Sequence, residues 1–220
     1  TQRRRQRQMC IRDRNNIGLV YLAVNQFENA ISFFSKSLQI NQNYINALIN
    51  RSVCFNKLNN YNDAIKDCKK IIKLDSKFAS AYNNLGWAYH IKGNNEKAIT
   101  NYKIALKLQP NYLDTINNLG GAYFNLGDKK LAAEYFKKSL EIDPQNTETF
   151  RSLVLNKGID SKDIRVSQFS NLYDENEKKL ESYRHKPIPK NFIDSHSRLC
   201  FALGYLNDNE KNYKKASIYF

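Results

Sequence analysis

The residues best suited to chemistry in this chain are few and scattered. Its histidines are His90, His185 and His196, and its cysteines are Cys10, Cys54, Cys68 and Cys200. No histidine stands in HExxH spacing, which would set two zinc ligands and a general base on one helix face. His196 and Cys200 are four residues apart and share a face of any helix there. Two ligands fall short of the three or four protein ligands a zinc site takes. Cys54 and Cys68 read as small hydrophobes. GxGxxG, the Walker-type phosphate loop and GxSxG do not occur, so neither a nucleotide cradle nor a nucleophile elbow is expected. No catalytic residue, metal or cofactor is therefore expected.

Amide chemistry is a different matter. Asn16, Asn50, Asn84 and Asn118 recur at intervals of 34 residues. An Asn side chain donates and accepts at once, so a row of them could pair with the NH and C=O of an extended peptide without asking for a particular side chain. Asn83, Asn117, Trp87 and His90 fall on the same face in helical projection, Trp87 as an aromatic anchor.

The interval of 34 belongs to the elements that position these residues. Blocks starting at Ile11, Ile45, Ala79 and Leu113 align column by column. Column 8 is Gly18, Ser52, Gly86 and Gly120, and column 11 is Tyr21, Phe55, Tyr89 and Tyr123. Column 20 is alanine throughout, and column 24 is Phe34, Cys68, Tyr102 and Phe136. Apolar stripes at columns 4, 7, 8 and 11, and at 20, 24, 27 and 28, predict two amphipathic helices per block. Column 15, between them, holds Asn25, Asn59, Gly93 and Gly127. These are the residues that enter the left-handed conformation most cheaply, so the first helix is predicted to end there. Pro110 and Pro144 are predicted to stop the second helices of the last two blocks. A lone pair of such helices cannot bury both its faces, whereas stacked pairs can.

These columns resemble the tetratricopeptide repeat family over residues 15–146, with boundaries near 45, 79 and 113. The resemblance implies an all-α fold, a right-handed solenoid of antiparallel helix pairs, and a concave groove that binds a protein or peptide segment. Column 6 faces that groove in the family. The asparagine ladder is similar to the one in the repeats of O-linked GlcNAc transferases, where amides hold the backbone of an extended peptide. Another groove mode of the family clamps C-terminal carboxylates with Lys and Arg. Here the corresponding faces show Asn46, Ser80, Asn83 and Asp114, so a carboxylate clamp is not expected.

Beyond Asn146 the pattern breaks. Phe150 and Leu153 begin like a fifth first helix, which Gly158 is expected to end early. Residues 147–190 read as a connector or cap with partial helices, one of them over 172–184. Residues 191–220 read as a repeat-like hairpin with Phe201, Ala202 and Tyr205 at columns 7, 8 and 11, and with Tyr213, Ala216 and Phe220 on its second helix. "FALGYLNDNEKNYKKASIYF" resembles the hairpin that precedes the catalytic domain in bacterial repeat–sulfotransferase fusions. On that alternative the chain is the recruiting region of a sulfotransferase whose catalytic part lies elsewhere.

The net charge of +14 is unevenly held. Residues 1–14 carry six of the 11 arginines and one acid. "MCIRDR" in that stretch resembles a translated sequencing adaptor, so 1–14 is set apart as non-native, and the chain is expected to be cut at both ends. The remaining lysines interleave with apolar helix positions and read as solvated faces, so neither nucleic acid nor membrane is expected as a partner. No run of 18 apolar residues occurs. Four dispersed cysteines in a chain able to build a core suggest a reducing compartment, the cytoplasm.

Overall fold

Left-handed backbone recurs at Asn25 (φ 59°), Asn59 (φ 61°), Gly93 (φ 78°) and Gly127 (φ 82°), the four column-15 positions. The computed structural model describes residues 2–160, 162–183 and 187–209, and among these all regular structure is helical. The helices are α1 (Gln2–Ala23), α2 (Phe27–Ile40), α3 (Ile45–Lys57), α4 (Tyr61–Leu74), α5 (Ala79–Ile91), α6 (Asn95–Leu108), α7 (Leu113–Asn125), α8 (Lys129–Ile142), α9 (Thr147–Leu155), α10 (Ile164–Ser182) and α11 (Lys190–Asn209). They fall into two units, Thr1–Thr115 and Ile116–Phe220.

Each hairpin turn closes in the same way. The amide one residue past the left-handed position donates back to the column-11 carbonyl: Gln26 to Tyr21, Asn60 to Phe55, Asn94 to Tyr89 and Asp128 to Tyr123, at 2.8–3.0 Å. This six-to-one bond satisfies a carbonyl that the helix end would otherwise orphan. The next helix is then capped: Asn60, Asn94 and Asp128 accept from the amides of Asp63, Lys97 and Leu131. The second helices end on residues out of helical conformation, Asn41, Asp75 and Gln109 extended and Asp143 with φ -128° and ψ 86°. Pro110 and Pro144 enforce this in two repeats. In the other two, Asn41 and Asp75 accept from the amides of Asn43 and Lys77 and turn the chain without proline.

Within a hairpin, column 8 meets column 24. A Cβ on Gly18, Gly86 or Gly120 would stand 2.5–2.7 Å from the ring of Phe34, Tyr102 or Phe136. In the second repeat Ser52 replaces glycine and the buried Cys68 replaces the ring, so a larger residue on one helix is matched by a smaller one on its partner. The apolar stripe is broken once in the same repeat. Column 7 holds Arg51, where leucine stands at 85 and 119. Its guanidinium forms two parallel 2.8 Å bonds to Asp67 and a third, of 2.9 Å, to Ser35 Oγ. Asp67 is 8% exposed, so this pair compensates a charge that burial alone would forbid.

Helix α1 runs without interruption through residue 14 and has 22 residues where α3 and α5 have 13. Ser37 Oγ donates to Ile11 O at 2.9 Å, and Arg7 donates to Ile40 O at 3.2 Å. The Arg7 bond holds this added length to α2, and the Ser37 bond anchors Ile11, the first residue of the block.

In the second unit α9 ends at Leu155, but the left-handed residue is Lys157 (φ 55°) and not Gly158. Gly158 is needed for space, since a Cβ there would lie 2.6 Å from that of Ala133. Helix α10 starts eight residues before the predicted 172, because Val166 and Phe169 pack inward and Phe169 stacks on Phe150 with centroids 4.0 Å apart. In α11 the buried stripe is Leu199, Ala202, Leu203 and Leu206, while Phe201 is 40% exposed. The expected columns of that helix are therefore shifted by one residue, leucine having displaced the aromatics from the core. Tyr213, Ala216 and Phe220 lie outside the described residues.

Candidate peptide-binding face of the first helices

In the first unit α3 touches both α1 and α5, so equivalent columns of the three first helices lie side by side. Asn16 is exposed, and Asn50 and Asn84 are half-buried. Each of the latter two reaches the first helix before it. Asn50 Nδ2 donates to Asn15 Oδ1 and Asn84 Nδ2 to Ser52 Oγ, both at 3.3 Å. An Asn amide offers two protons and two lone pairs, so these bonds orient the row without exhausting it.

Asn83 serves the stack itself. It is 6% exposed and accepts from Thr115 Oγ1 at 3.0 Å. Within the second unit Asn117 repeats this bond with Thr149 Oγ1, also at 3.0 Å. There Asn117 and Asn118 are both half-buried. Column 5 thus ties one first helix to column 3 of the next. The rule was legible in the recurrence of Asn and Thr 32 residues apart.

Trp87 is 37% exposed and stacks on His90, with ring centroids 6.0 Å apart. Desolvation holds the His90 imidazole below its ordinary value, so it is neutral at neutral pH. Sequence reasoning singled out Trp87 alone, but column 9 also holds Leu19, 39% exposed, and half-buried Val53. Their spacing of 34 was the available signal. An apolar line and a row of amides therefore run across the same three helices. Of the positions where a carboxylate clamp would carry cations, Ser80 accepts from the Tyr112 hydroxyl at 3.4 Å and Asn83 is committed to Thr115. Asn46 and Asp114 are exposed.

Among the described residues the thiols and imidazoles do not assemble into a reactive group. Burial pushes Cys54 up to about 11 and Cys68 to about 12, and burial followed by the charge of Glu177 raises Cys200. All three are protonated thiols at neutral pH, poor nucleophiles and poor ligands. His196 sits between Tyr173 and Phe192, with Nε2 2.8 Å from Glu177 Oε1. His185 lies outside the described residues. Among the described residues no three His, Cys, Asp or Glu side chains converge to hold a metal, and no helix is long and apolar enough to cross a membrane.

Comparison with known proteins agrees with this architecture. Family models described as tetratricopeptide repeat match residues 14–44, 45–78, 68–100 and 114–146, and one described as TPR repeat matches 86–127. No curated protein matches the chain. Among solved structures, the crystal structure of MamA protein is 27% identical, with a TM-score of 0.61 over 82% of this chain and 98% of its own. PilF of Pseudomonas aeruginosa is 20% identical, with a TM-score of 0.69 over 97% of this chain and 90% of its own. A thermophilic TPR protein of Thermus thermophilus is 21% identical, with a TM-score of 0.65 over 88% of this chain and 98% of its own. At such identities the last two bear on the fold alone. The repeat matches end at residue 146, and the likeness of 201–220 to a sulfotransferase-linked hairpin gains no support from these comparisons. Through residues 14–146 the chain belongs to the tetratricopeptide repeat family.

Proposed function

We propose that this chain is a non-catalytic, protein-binding scaffold that holds an extended segment along the face formed by α1, α3 and α5. The supporting observation is the pairing of two lines on that face. Asn16, Asn50 and Asn84 can meet a peptide backbone, and Leu19, Val53 and Trp87 can take its apolar side chains. Asn118 offers the same amide chemistry in the second unit. A tetratricopeptide domain of RPAP3, 22% identical with a TM-score of 0.52, was solved with an HSP90 peptide, SRMEEVD. That precedent supports a peptide as the class of ligand. The ligand here differs in kind, because Asn46, Ser80 and Asn83 offer no cations to an acidic C-terminus.

The test is an immobilised library of extended peptides probed with the wild-type chain and with a variant carrying Asn50→Ala, Asn84→Ala and Asn118→Ala. Binding should fall at least about tenfold, the equivalent of roughly 1.4 kcal/mol. Helicity and melting are measured alongside, since each lost inter-helix bond costs about 0.5–1.5 kcal/mol. Unchanged binding by a folded variant rejects the amide row as the site.

A further inference from the structure

Helices α2, α3 and α4 border a cavity of about 320 Å³, near the lower end of the range of ligand pockets, about 300–1,000 Å³. Its apolar lining is the buried pair Leu38 and Leu48. Ser35, Gln39 and Gln42 add a hydroxyl and two amides, and Arg51 and Lys70 add two cations. None of these described lining residues is acidic or aromatic. Arg51 is fixed in place by its bonds to Asp67 and Ser35 and by the Phe55 ring, whose centroid lies 5.6 Å from the guanidinium. Those bonds use three of the five N–H groups a guanidinium carries, so two are left for a ligand. Asp67 gives both its oxygens to Arg51. The pair is neutral as a unit, and Lys70 makes the cavity cationic.

Lys70 also belongs to a row. Lys66, Lys70 and Lys73 stand at i, i+4 and i+7 on α4. Lys66 meets Asp63 at 2.8 Å, but in an exposed pair that water screens. Like charges at this spacing weaken a helix, and an anion laid along the row relieves the repulsion. Residues 45–108 hold 11 basic and four acidic residues, a net +7 that is half of the chain's +14, so an acidic partner is drawn to these two repeats. We propose that the cavity and the lysine row bind an acidic segment of a partner protein. One glutamate carboxylate takes the two remaining N–H groups of Arg51 and the Lys70 ammonium, and its aliphatic stem lies on Leu38 and Leu48. The row spans about 10 Å, the reach of about three extended residues, so a single small anion would leave most of it uncovered. A nucleic acid would find no ring in the cavity on which to stack a base. The row stands on a second helix and the amide row on first helices, so this surface is separate from the proposed peptide-binding face.

The test is zero-length carbodiimide coupling of a hexaglutamate peptide to the full chain, with the coupled lysines read by peptide mass spectrometry. Residues 1–14 hold no lysine, so their arginines contribute no coupled product. Lys138 occupies the same column as Lys70 and is exposed, whereas Lys70 is half-buried. Lys70 should nonetheless couple at least about tenfold more than Lys138. Arg51→Leu with Asp67→Ala removes the guanidinium together with its counter-ion and installs the leucine found at 85 and 119. With circular dichroism unchanged, this variant should lose the preference for Lys70. An oligothymidylate of matched charge should leave the Lys70 product within about twofold. Coupling that favours exposed Lys138 overturns the proposal, as does a preference for Lys70 that survives in the folded double variant. Tenfold suppression by the oligothymidylate overturns it too, and assigns the surface to nucleic acid.

Discussion

Asparagine does three kinds of work in this chain, and each depends on where it stands. Asn25 and Asn59 take the left-handed turn that Gly93 and Gly127 take elsewhere. Asn60, Asn94 and Asn146 cap the helices that follow them. Asn50, Asn83, Asn84 and Asn117 join neighbouring first helices. Glycine is as position-bound. Gly86→Ala would gain up to about 1 kcal/mol of helix propensity, but its Cβ would lie 2.6 Å from the fully buried Tyr102 ring. Overpacking of this kind costs about 1–3 kcal/mol, so urea titration should show a net loss, smaller in a Tyr102→Leu background where the methyl has room. Arg51→Ala should be worse, at about 3 kcal/mol, because it strands Asp67 without its partner. Arg51→Leu with Asp67→Ala should recover most of that loss, since leucine is what positions 85 and 119 carry in the same column. The glycine and turn positions were legible from the column alignment alone, because each answers a steric demand that recurs every 34 residues. Arg51 was not legible: its partner is 16 residues away on the next helix, and no column rule announces an ion pair in an apolar column. The column-5 ties were also read as groove residues, because an amide looks the same to sequence whether it faces a ligand or the next repeat.

At the scale of elements, pattern and period located the eight repeat helices, and the errors gather where the period stops. Helix α10 begins early because Val166 and Phe169 find a partner in α9, a tertiary contact with no repeat to announce it. In α11 two apolar stripes compete, and the aliphatic one is buried. Helix α5 carries a testable electrostatic consequence. Burial lowers the His90 value from the ordinary 6.5, so the unfolded chain takes up a proton at His90 before the folded one does. The stability this confers is complete above about pH 6.5 and is lost as pH falls through the lowered folded value. Asparagine is an apt replacement, since column 12 already holds buried Asn56 in the second repeat. Melting temperatures at pH 7.5 and 5.5 should therefore drop further for the wild-type chain than for His90→Asn. Equal drops would mean that imidazole burial does not couple to folding.

At the scale of the whole molecule, stability in a repeat array is a sum of hairpin terms and nearest-neighbour interface terms. Its weakest openings should occur between hairpins rather than inside them. Cys54 and Cys68 separate these two cases within one repeat. Both are fully buried, and both are held as thiols well above neutrality, so alkylation requires opening. Cys54 stands at column 10, on the surface that meets the preceding hairpin, and is uncovered when the first hairpin swings away from α3. Cys68 stands at column 24, facing Ser52 across its own hairpin, and is uncovered only when α3 and α4 part. Iodoacetamide labelling at pH 8, read by peptide mass spectrometry, should therefore modify Cys54 faster than Cys68, with half-exposed Cys10 and Cys200 ahead of both. Equal rates at Cys54 and Cys68 would show that the first unit opens in one step, with interfaces between hairpins as strong as those within them.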